Sequence, residues 1–232
     1  MSEWAIYGSF ASAIATLLAV FVALFREELR TYWYRPILTA TIRLKPPDCH
    51  KTQLVSSNPV QVLAQRGECY YLRIWVQNEG RQRAEKVQVF VSRLQKQHAD
   101  GRFKDVDSFL PMNLRWSHSS PPEIFAEGIS LGMGRHCDFA HIVDPVFREQ
   151  LMHPTPPQFT KGRTILELDL EVQPNTLSHL VLEGHYRFYV KVAAANAHPI
   201  EKCWDLNLTG KWFSEEDKMF SEGIGIVPLV IR

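Results

Sequence analysis

The sequence predicts a mainly β protein, in which one N-terminal transmembrane helix precedes an enlarged antiparallel β-sandwich. Two observations lead to this prediction. No charged residue occurs in residues 4–25, and apolar residues alternate with polar ones in most segments after residue 36. A long uncharged run is typical of a membrane-spanning helix, whereas an alternation with a period of two is typical of strands that bury one face.

Length and composition fit one anchor and one domain. The chain has 232 residues, of which residues 1–35 are assigned to the anchor with a juxtamembrane helix and residues 36–232 to a single β domain. Its 26 basic residues nearly balance 25 acidic ones, which leaves a formal charge of +1. Because binding to a phosphate backbone needs a basic surface, we expect no nucleic-acid partner.

The predicted anchor matches the bilayer in length, since a helix over residues 4–25 spans about 33 Å. The helix is expected to continue to Tyr34, because Pro36 disfavours helical geometry at the preceding residue. Two alternatives are a cleaved signal peptide and a buried helix of a soluble protein. The first has a basic start and a shorter apolar run, and the second has a polar stripe. The sequence therefore favours the lipid bilayer as the partner of residues 4–25.

Charges around the anchor predict its orientation. No Lys or Arg precedes the run, whereas Arg26, Arg30 and Arg35 follow it. Basic flanks stay in the cytosol, so we expect the N-terminus outside the inner membrane and the β domain in the cytoplasm. The cysteines show neither a dense framework nor a CxxC spacing, which is consistent with reduced, partly buried thiols; they are Cys49, Cys69, Cys137 and Cys203.

Small residues along the anchor suggest self-association. They fall on one side of a helix at 100° per residue, and they are Gly8, Ser12, Ala15, Ala19 and Ala23. Small side chains let helices approach closely in lipid, so a homo-oligomer is one interpretation. Alanine also occurs elsewhere around the helix, so the alternative is a helix that serves only as an anchor.

Beyond the anchor, apolar alternation predicts a series of strands. They cover residues 38–45, 70–77, 87–92, 137–143, 165–172, 185–194, 202–208 and 224–231. A turn is expected at Asn78-Glu79-Gly80, and a short capped turn at 214–217. Long connections are expected at 46–68 and 144–163, where prolines accumulate.

Two motifs carry a resemblance to a known family. The pattern V-x-N-x-G-x3-A-x2-V begins at Val76 and ends at Val87, and residues 182–188 read Leu-Glu-Gly-His-Tyr-Arg-Phe. The first resembles the B-to-C strand region of bacterial immunoglobulin-like modules such as CARDB adhesion domains, and the second resembles a tyrosine corner. The resemblance implies an immunoglobulin-like sandwich with the Tyr186 hydroxyl bonded to the backbone. The predicted domain is nearly twice as long as such a module, and an adhesion role is not carried over.

No catalytic, cofactor or metal motif emerges from the sequence. Residues 132–137 contain two glycines but lack the third glycine of a dinucleotide fingerprint. Cys137 with His136 and His141 fits no zinc spacing, so these residues are interpreted as strand residues. Three alternating carboxylates are interpreted as a solvated outer face, namely Glu167, Asp169 and Glu171.

Candidate interaction residues lie in the C-terminal third. Asn196 and His198 belong to a predicted hairpin tip at 195–199, and such tips often carry recognition. Trp204 and Trp212 flank Gly210 and could line a groove. The plainer alternatives are an ordinary turn for the first pair and core packing for the second.

The sequence favours a non-catalytic function. The expectation is an interaction or scaffold module that holds an unknown protein partner at the inner membrane face, without a cofactor. The resemblance implies an accessory component of a bacterial system, for example an antiphage system. The alternative is a small-ligand sensor coupled to a membrane effector helix. A third hypothesis is an enzyme whose catalytic residues only the fold assembles.

Overall fold

The computed structural model describes residues 3–26, 34–56, 65–119, 121–150 and 162–230. Helix α1 spans Glu3–Leu24, and its side chains are described at Tyr7, Gly8 and residues 11–26. The described part of the chain holds no helix that combines the length and the apolar character needed to cross a membrane. The expected continuation of the helix to Tyr34 falls on residues 27–33, which lie outside the described residues.

Two antiparallel sheets follow and confirm the mainly β class. Sheet A contains β1 (Leu38–Thr41), β2 (Cys49–Ser56), β3 (Gln65–Asn78), β7 (Arg115–Trp116), β9 (Gly134–Val143), β10 (Leu166–Leu168) and β11 (Leu180–Val181). Sheet B contains β4 (Ala84–Gln97), β5 (Phe103–Asp105), β6 (Met112–Asn113), β8 (Phe125–Ile129), β12 (Gly184–Ala194), β13 (Ala197–Leu208) and β14 (Ile224–Leu229).

The strand order interleaves distant parts of the chain. Sheet A runs β1-β3-β9-β10-β11, with β2 paired to β3 and β7 paired to β9. Sheet B runs β14-β13-β12-β4-β5, with β6 and β8 paired to β4. Because β3 and β4 are consecutive in sequence but belong to different sheets, the connection between them crosses from one sheet to the other.

One hydrophobic core lies between the sheets. Phe139 of β9 stacks on Phe188 of β12 with ring centroids 4.3 Å apart. Phe188 in turn stacks on Trp204 of β13 at 5.3 Å. On β4, Val87 and Val89 are fully buried, while Gln88 between them is only partly buried. The apolar alternation in the sequence therefore marks the faces that meet in this core.

An observed strand overlaps each predicted strand, but several other elements were missed. Strand β2 lies inside the expected connection 46–68, and helix α2 (Pro145–Gln150) lies inside 144–163. The remainder of these connections includes residues 57–64 and 151–161, outside the described residues. Strand β2 has little apolar alternation, and its pairing with β3 from Cys49↔Leu72 to Ser56↔Gln65 defines it.

The predicted short turn at 214–217 is partly confirmed. Helix α3 spans Glu216–Lys218 and continues into a π-helical turn at Met219–Gly223. Ser214 does not cap this helix, because Glu215 is the N-cap residue and makes no side-chain capping hydrogen bond. The hydrogen bond from the backbone N–H of Met219 to the Glu215 carbonyl instead closes the turn.

Asn78 organises the crossing between the sheets. Its fully buried amide donates to the carbonyls of Gln82 at 2.7 Å and Ile129 at 3.0 Å, and its Oδ1 accepts from the N–H of Gly80 at 3.0 Å. A Cβ on Gly80 would lie 2.3 Å from the backbone nitrogen of Ile37. Glycine is thus required here for close backbone approach, and not for the positive φ that a turn suggests.

Among the described residues, Tyr186 does not form the expected tyrosine corner. Its ring is buried, but within the described residues its hydroxyl makes no hydrogen bond to the backbone. Burial raises the pKa of this hydroxyl to about 12. The hydroxyl of Tyr70 instead donates to the carbonyl of Phe213 at 2.9 Å and so ties β3 to the segment before α3.

Candidate functional site

The outer face of sheet A collects polar side chains from four distant segments. Arg73 and Trp75 alternate with buried Ile74 on β3, and the sheet register places Trp75 opposite His136 of β9. We call the group the Arg73 cluster. It comprises Arg43, Asp48, His50, Arg73, Ser117, His118, His136 and Asp138.

Asp48 is the buried anion of this cluster. Its side chain has no exposed surface, and Arg43 donates to it from Nε at 2.8 Å and from Nη2 at 2.9 Å. His136 contacts it through Nε2 at 3.2 Å, and this nitrogen must donate because an ionised carboxylate only accepts. Burial alone would raise the pKa of Asp48, but the bonds and charges of Arg43 and His136 outweigh burial and lower it.

Arg73 is the central cation and is only 8% exposed. Its Nη1 lies 3.1 Å from Nε2 of His118, and its Nη2 lies 3.1 Å from Nδ1 of His50. Nη2 also donates to the carbonyl of Pro47. Because a guanidinium only donates, both imidazoles accept, which places their own N–H groups on His118 Nδ1 and His50 Nε2.

Asp138 and Ser117 complete the cluster beside Arg73. Ser117 is buried and donates its hydroxyl to Oδ1 of Asp138 at 2.5 Å. Burial raises the pKa of Asp138, and the nearby Asp169 carboxylate adds to this effect, while the bond from Ser117 partly opposes it. The cluster therefore contains one carboxyl held as an anion and one whose proton is held more tightly than usual.

A separate group, centred on His141, lies further along the same face. His141 Nδ1 is 3.0 Å from Oδ1 of Asp169, its Nε2 is 3.8 Å from Glu167, and its ring stacks on Tyr71 at 5.4 Å. Burial disfavours the imidazolium, but the charges of Asp169 and Glu167 outweigh it and raise the pKa of His141. The expectation of a solvated row of carboxylates is thus wrong for Glu167 and Asp169, whose side chains are only 24% and 20% exposed.

The two histidine sites should respond to pH in opposite directions. The raised pKa of His141 means that its stabilising contribution is complete below its unfolded pKa of about 6.5 and is lost as pH rises through the folded value. Burial and the charge of Arg73 lower the pKa of His50, so its contribution is present above about 6.5 and is lost as pH falls.

Urea unfolding from pH 5 to pH 8 tests this expectation. The stability that His141→Gln loses relative to the parent should be larger at the acidic end, and the loss for His50→Gln larger at the alkaline end. His98→Gln is the control, because this surface residue makes only backbone bonds among the described residues. Parallel pH profiles for all three variants would contradict the assigned proton states.

The candidate interaction residues do not form one surface. Asn196 accepts from the backbone of Glu85 at 3.0 Å and donates to the carbonyl of Arg83 at 2.9 Å, so it pins the hairpin tip onto the start of β4. His198 is exposed beside it. Trp204 is 2% exposed and packs in the core, and it is also among the residues that line the groove described below. Trp212 is half-buried against Tyr70 at 5.1 Å, near the other end of β13.

The remaining sequence motifs have structural roles or lie on the helix surface. Cys137 is fully buried, its thiol contacts the Arg115 carbonyl at 3.2 Å, and burial raises its pKa far above the usual value. Among the described residues, no group of histidine, cysteine and carboxylate side chains has the arrangement of a metal site. The small residues of α1 are all exposed, namely Gly8, Ser12, Ala15, Ala19 and Ala23.

A groove runs beside the Arg73 cluster, between edge strands of the two sheets. It has a volume of about 730 Å³ and is lined mainly by β1, β13 and β14. Trp75 and Arg43 border it on the side of the cluster, and Leu229 borders it on β14. Arg43 belongs to both the groove and the cluster, and Trp75 contacts His136 of the cluster with ring centroids 4.7 Å apart, so a ligand in the groove contacts the cluster.

Comparisons with known proteins add no homologue. No protein-family model matches the chain, and no curated protein matches it either.

Proposed function

We propose that the chain is a single-pass membrane protein whose immunoglobulin-like domain is a non-catalytic interaction module on the cytoplasmic side of the inner membrane. The partner binds the outer face of sheet A at the Arg73 cluster. The observation that carries the proposal is the composition of this face: the half-buried Trp75 lies beside Arg43, which is 52% exposed and held by a buried carboxylate. Tryptophan and arginine dominate the binding energy of protein interfaces.

The membrane anchor is supported by the exposure of α1 and by the full uncharged run of residues 4–25, which extends beyond the described side chains. Large apolar side chains of this helix are exposed on one broad side, for example Leu17 at 70%, Phe21 at 53% and Leu24 at 71%, and small residues cover much of the other side. An unpartnered helix of this kind is unfavourable in water and favourable in lipid. The stripe from Gly8 to Ala23 is proposed as a self-association face within the bilayer.

Pull-down of the full chain from detergent extracts, followed by mass spectrometry, tests the interaction module. A stable protein partner should be recovered with the parent and lost with Arg43→Ala/Trp75→Ala. The matched control is Arg93→Ala/Tyr189→Ala, which removes an arginine packed 3.8 Å over an aromatic ring on sheet B. Equal recovery of the partner by both double variants would reject the outer face of sheet A.

The alternative is a small-ligand sensor, and the groove beside Trp75 favours it. Its volume is within the range of small-molecule sites, and it contains both aromatic and basic side chains. The same purified material distinguishes the two functions. A nucleotide or lipid that survives purification with the parent but not with the Trp75 variant supports the sensor.

A further inference from the structure

One end of the β domain gathers the connections closest to the anchor. The backbone N–H of Glu79 donates to the carbonyl of Ile37 at 2.8 Å, and that of Asn78 donates to the carbonyl of Met133 at 2.9 Å. The hairpin tip joins them, since the N–H of Ala195 donates to the carbonyl of Glu85 at 2.8 Å. We call this the anchor-side end. It comprises residues 34–37, 79–86, 130–133 and 195–198.

Large apolar side chains are exposed at this end. They are between 50% and 61% exposed, and they are Tyr34, Ile37, Leu131 and Met133. Single exposed apolar residues are common on any protein surface, but these four come from two separate segments that meet around the Asn78 crossing. They therefore form a group where the chain enters the domain.

The two ends of the β domain carry net charges of opposite sign. The anchor-side end holds four basic residues and two acidic ones, a net charge of +2. The opposite connections at 98–108, 144–150 and 211–222 hold five basic and nine acidic residues, a net charge of −4. Arg81, Arg83 and Lys86 are exposed, and none of them pairs with a carboxylate among the described residues.

We infer that the anchor-side end docks on the anionic surface of the bilayer that holds the helix. The inference rests on the proposed membrane anchor. Nine residues lie between Leu24 and Tyr34, and even fully extended this stretch reaches only about 35 Å. The fourteen residues of β4 carry the opposite end about 45 Å further away, well beyond the Debye length of about 8 Å at physiological salt.

The chemistry of this end fits a lipid surface. Basic side chains are attracted to anionic headgroups of the cytoplasmic leaflet, and apolar and aromatic side chains enter the interfacial layer between them. Because the helix ties the domain to the bilayer, docking is an intramolecular step, and a small docking surface is sufficient for binding. The same headgroups repel the acidic opposite end. Docking therefore holds the domain with its acidic end away from the membrane and leaves the outer face of sheet A accessible.

The test uses the full chain in nanodiscs of phosphatidylcholine, with or without phosphatidylserine. The native cysteines are buried, so a thiol-reactive fluorophore can be placed at Met133→Cys or, on the opposite end, at Asp107→Cys. A nitroxide on the lipid headgroups should quench the Met133 label and leave the Asp107 label bright. Quenching of the Met133 label should be stronger with phosphatidylserine.

Charge variants separate docking from tethering alone. Each basic residue near an anionic surface strengthens binding about fivefold, so Arg81→Gln/Arg83→Gln/Lys86→Gln should weaken docking about a hundredfold and restore the Met133 fluorescence. Arg102→Gln/Lys104→Gln/Lys211→Gln on the opposite end is the matched control and should change nothing. Unaltered urea unfolding of both triple variants verifies their folds.

The outcomes distinguish the two proposals. Equal quenching at both label positions, or quenching at Met133 that ignores phosphatidylserine and the charge variants, overturns the docking surface while the anchor stands. A chain that fails to copurify with nanodiscs overturns the anchor, and the docking inference fails with it.

Discussion

Replacing Trp204 by alanine should lower the free energy of unfolding by about 3 to 5 kcal/mol. The indole is 2% exposed and stacks on Phe188, which itself stacks on Phe139 across the two sheets. Truncation removes the transfer free energy of the ring and leaves a cavity at one end of this aromatic stack, which the surrounding strands close only in part. Urea unfolding followed by circular dichroism measures the loss.

A neighbouring substitution separates core packing from surface effects. Lys202 lies two residues away on the same strand and is exposed, so Lys202→Ala should change stability by less than about 0.5 kcal/mol. Trp204→Phe keeps a stacked ring and should lose less than Trp204→Ala. If Trp204→Ala were as stable as Lys202→Ala, the ring would belong to the surface, as the groove interpretation of the sequence assumed.

Arg73→Met should cost about 3 to 5 kcal/mol, which is typical when one partner is removed from a buried charged cluster. The guanidinium holds the carbonyl of Pro47 and the acceptor nitrogens of His50 and His118 in a position that water reaches poorly. Methionine fills much of the volume but donates no hydrogen bond. The Pro47 carbonyl then stays unpaired, and the segment between β1 and β2 loses its attachment to β3.

Arginine geometry, and not charge alone, should carry this effect. Arg73→Lys keeps the charge but has a single ammonium in place of a planar fork, so it should be intermediate in stability. Arg102→Met removes an exposed arginine and should be close to the parent. An Arg73→Met variant as stable as Arg102→Met would mean that the cluster contributes nothing to folding, and that its side chains are held by the backbone alone.

Most of the β fold could be predicted from local patterns. Strands such as β3, β4 and β12 bury every second side chain against one core, and that period is visible in the sequence. Strands β2, β5 and β8 and the two-residue strands β6, β7 and β11 were missed, since pairing with a neighbour defines them more than their own composition does. The immunoglobulin-like topology and the membrane anchor remain predictions.

The site was less predictable than the fold. His136, His141 and Cys137 were considered together because they are close in sequence, yet the structure separates them: Cys137 faces the core, whereas His136 and His141 join different groups on the outer face. Arg73 meets His50 and His118 across 23 and 45 residues of chain. No spacing rule detects contacts of that range, because the register of paired strands sets them.

By itself the sequence determined the uncharged N-terminal run, the strand periodicity and the near balance of charge, because each depends on residue type and spacing alone. Tertiary contacts were needed to place Trp204 in the core, to bond the Tyr70 hydroxyl to the backbone, and to bring the basic and acidic connections to opposite ends. The physical reason is that burial and electrostatic environment depend on which strands pair and which faces meet. These are properties of contacts between segments far apart in the chain.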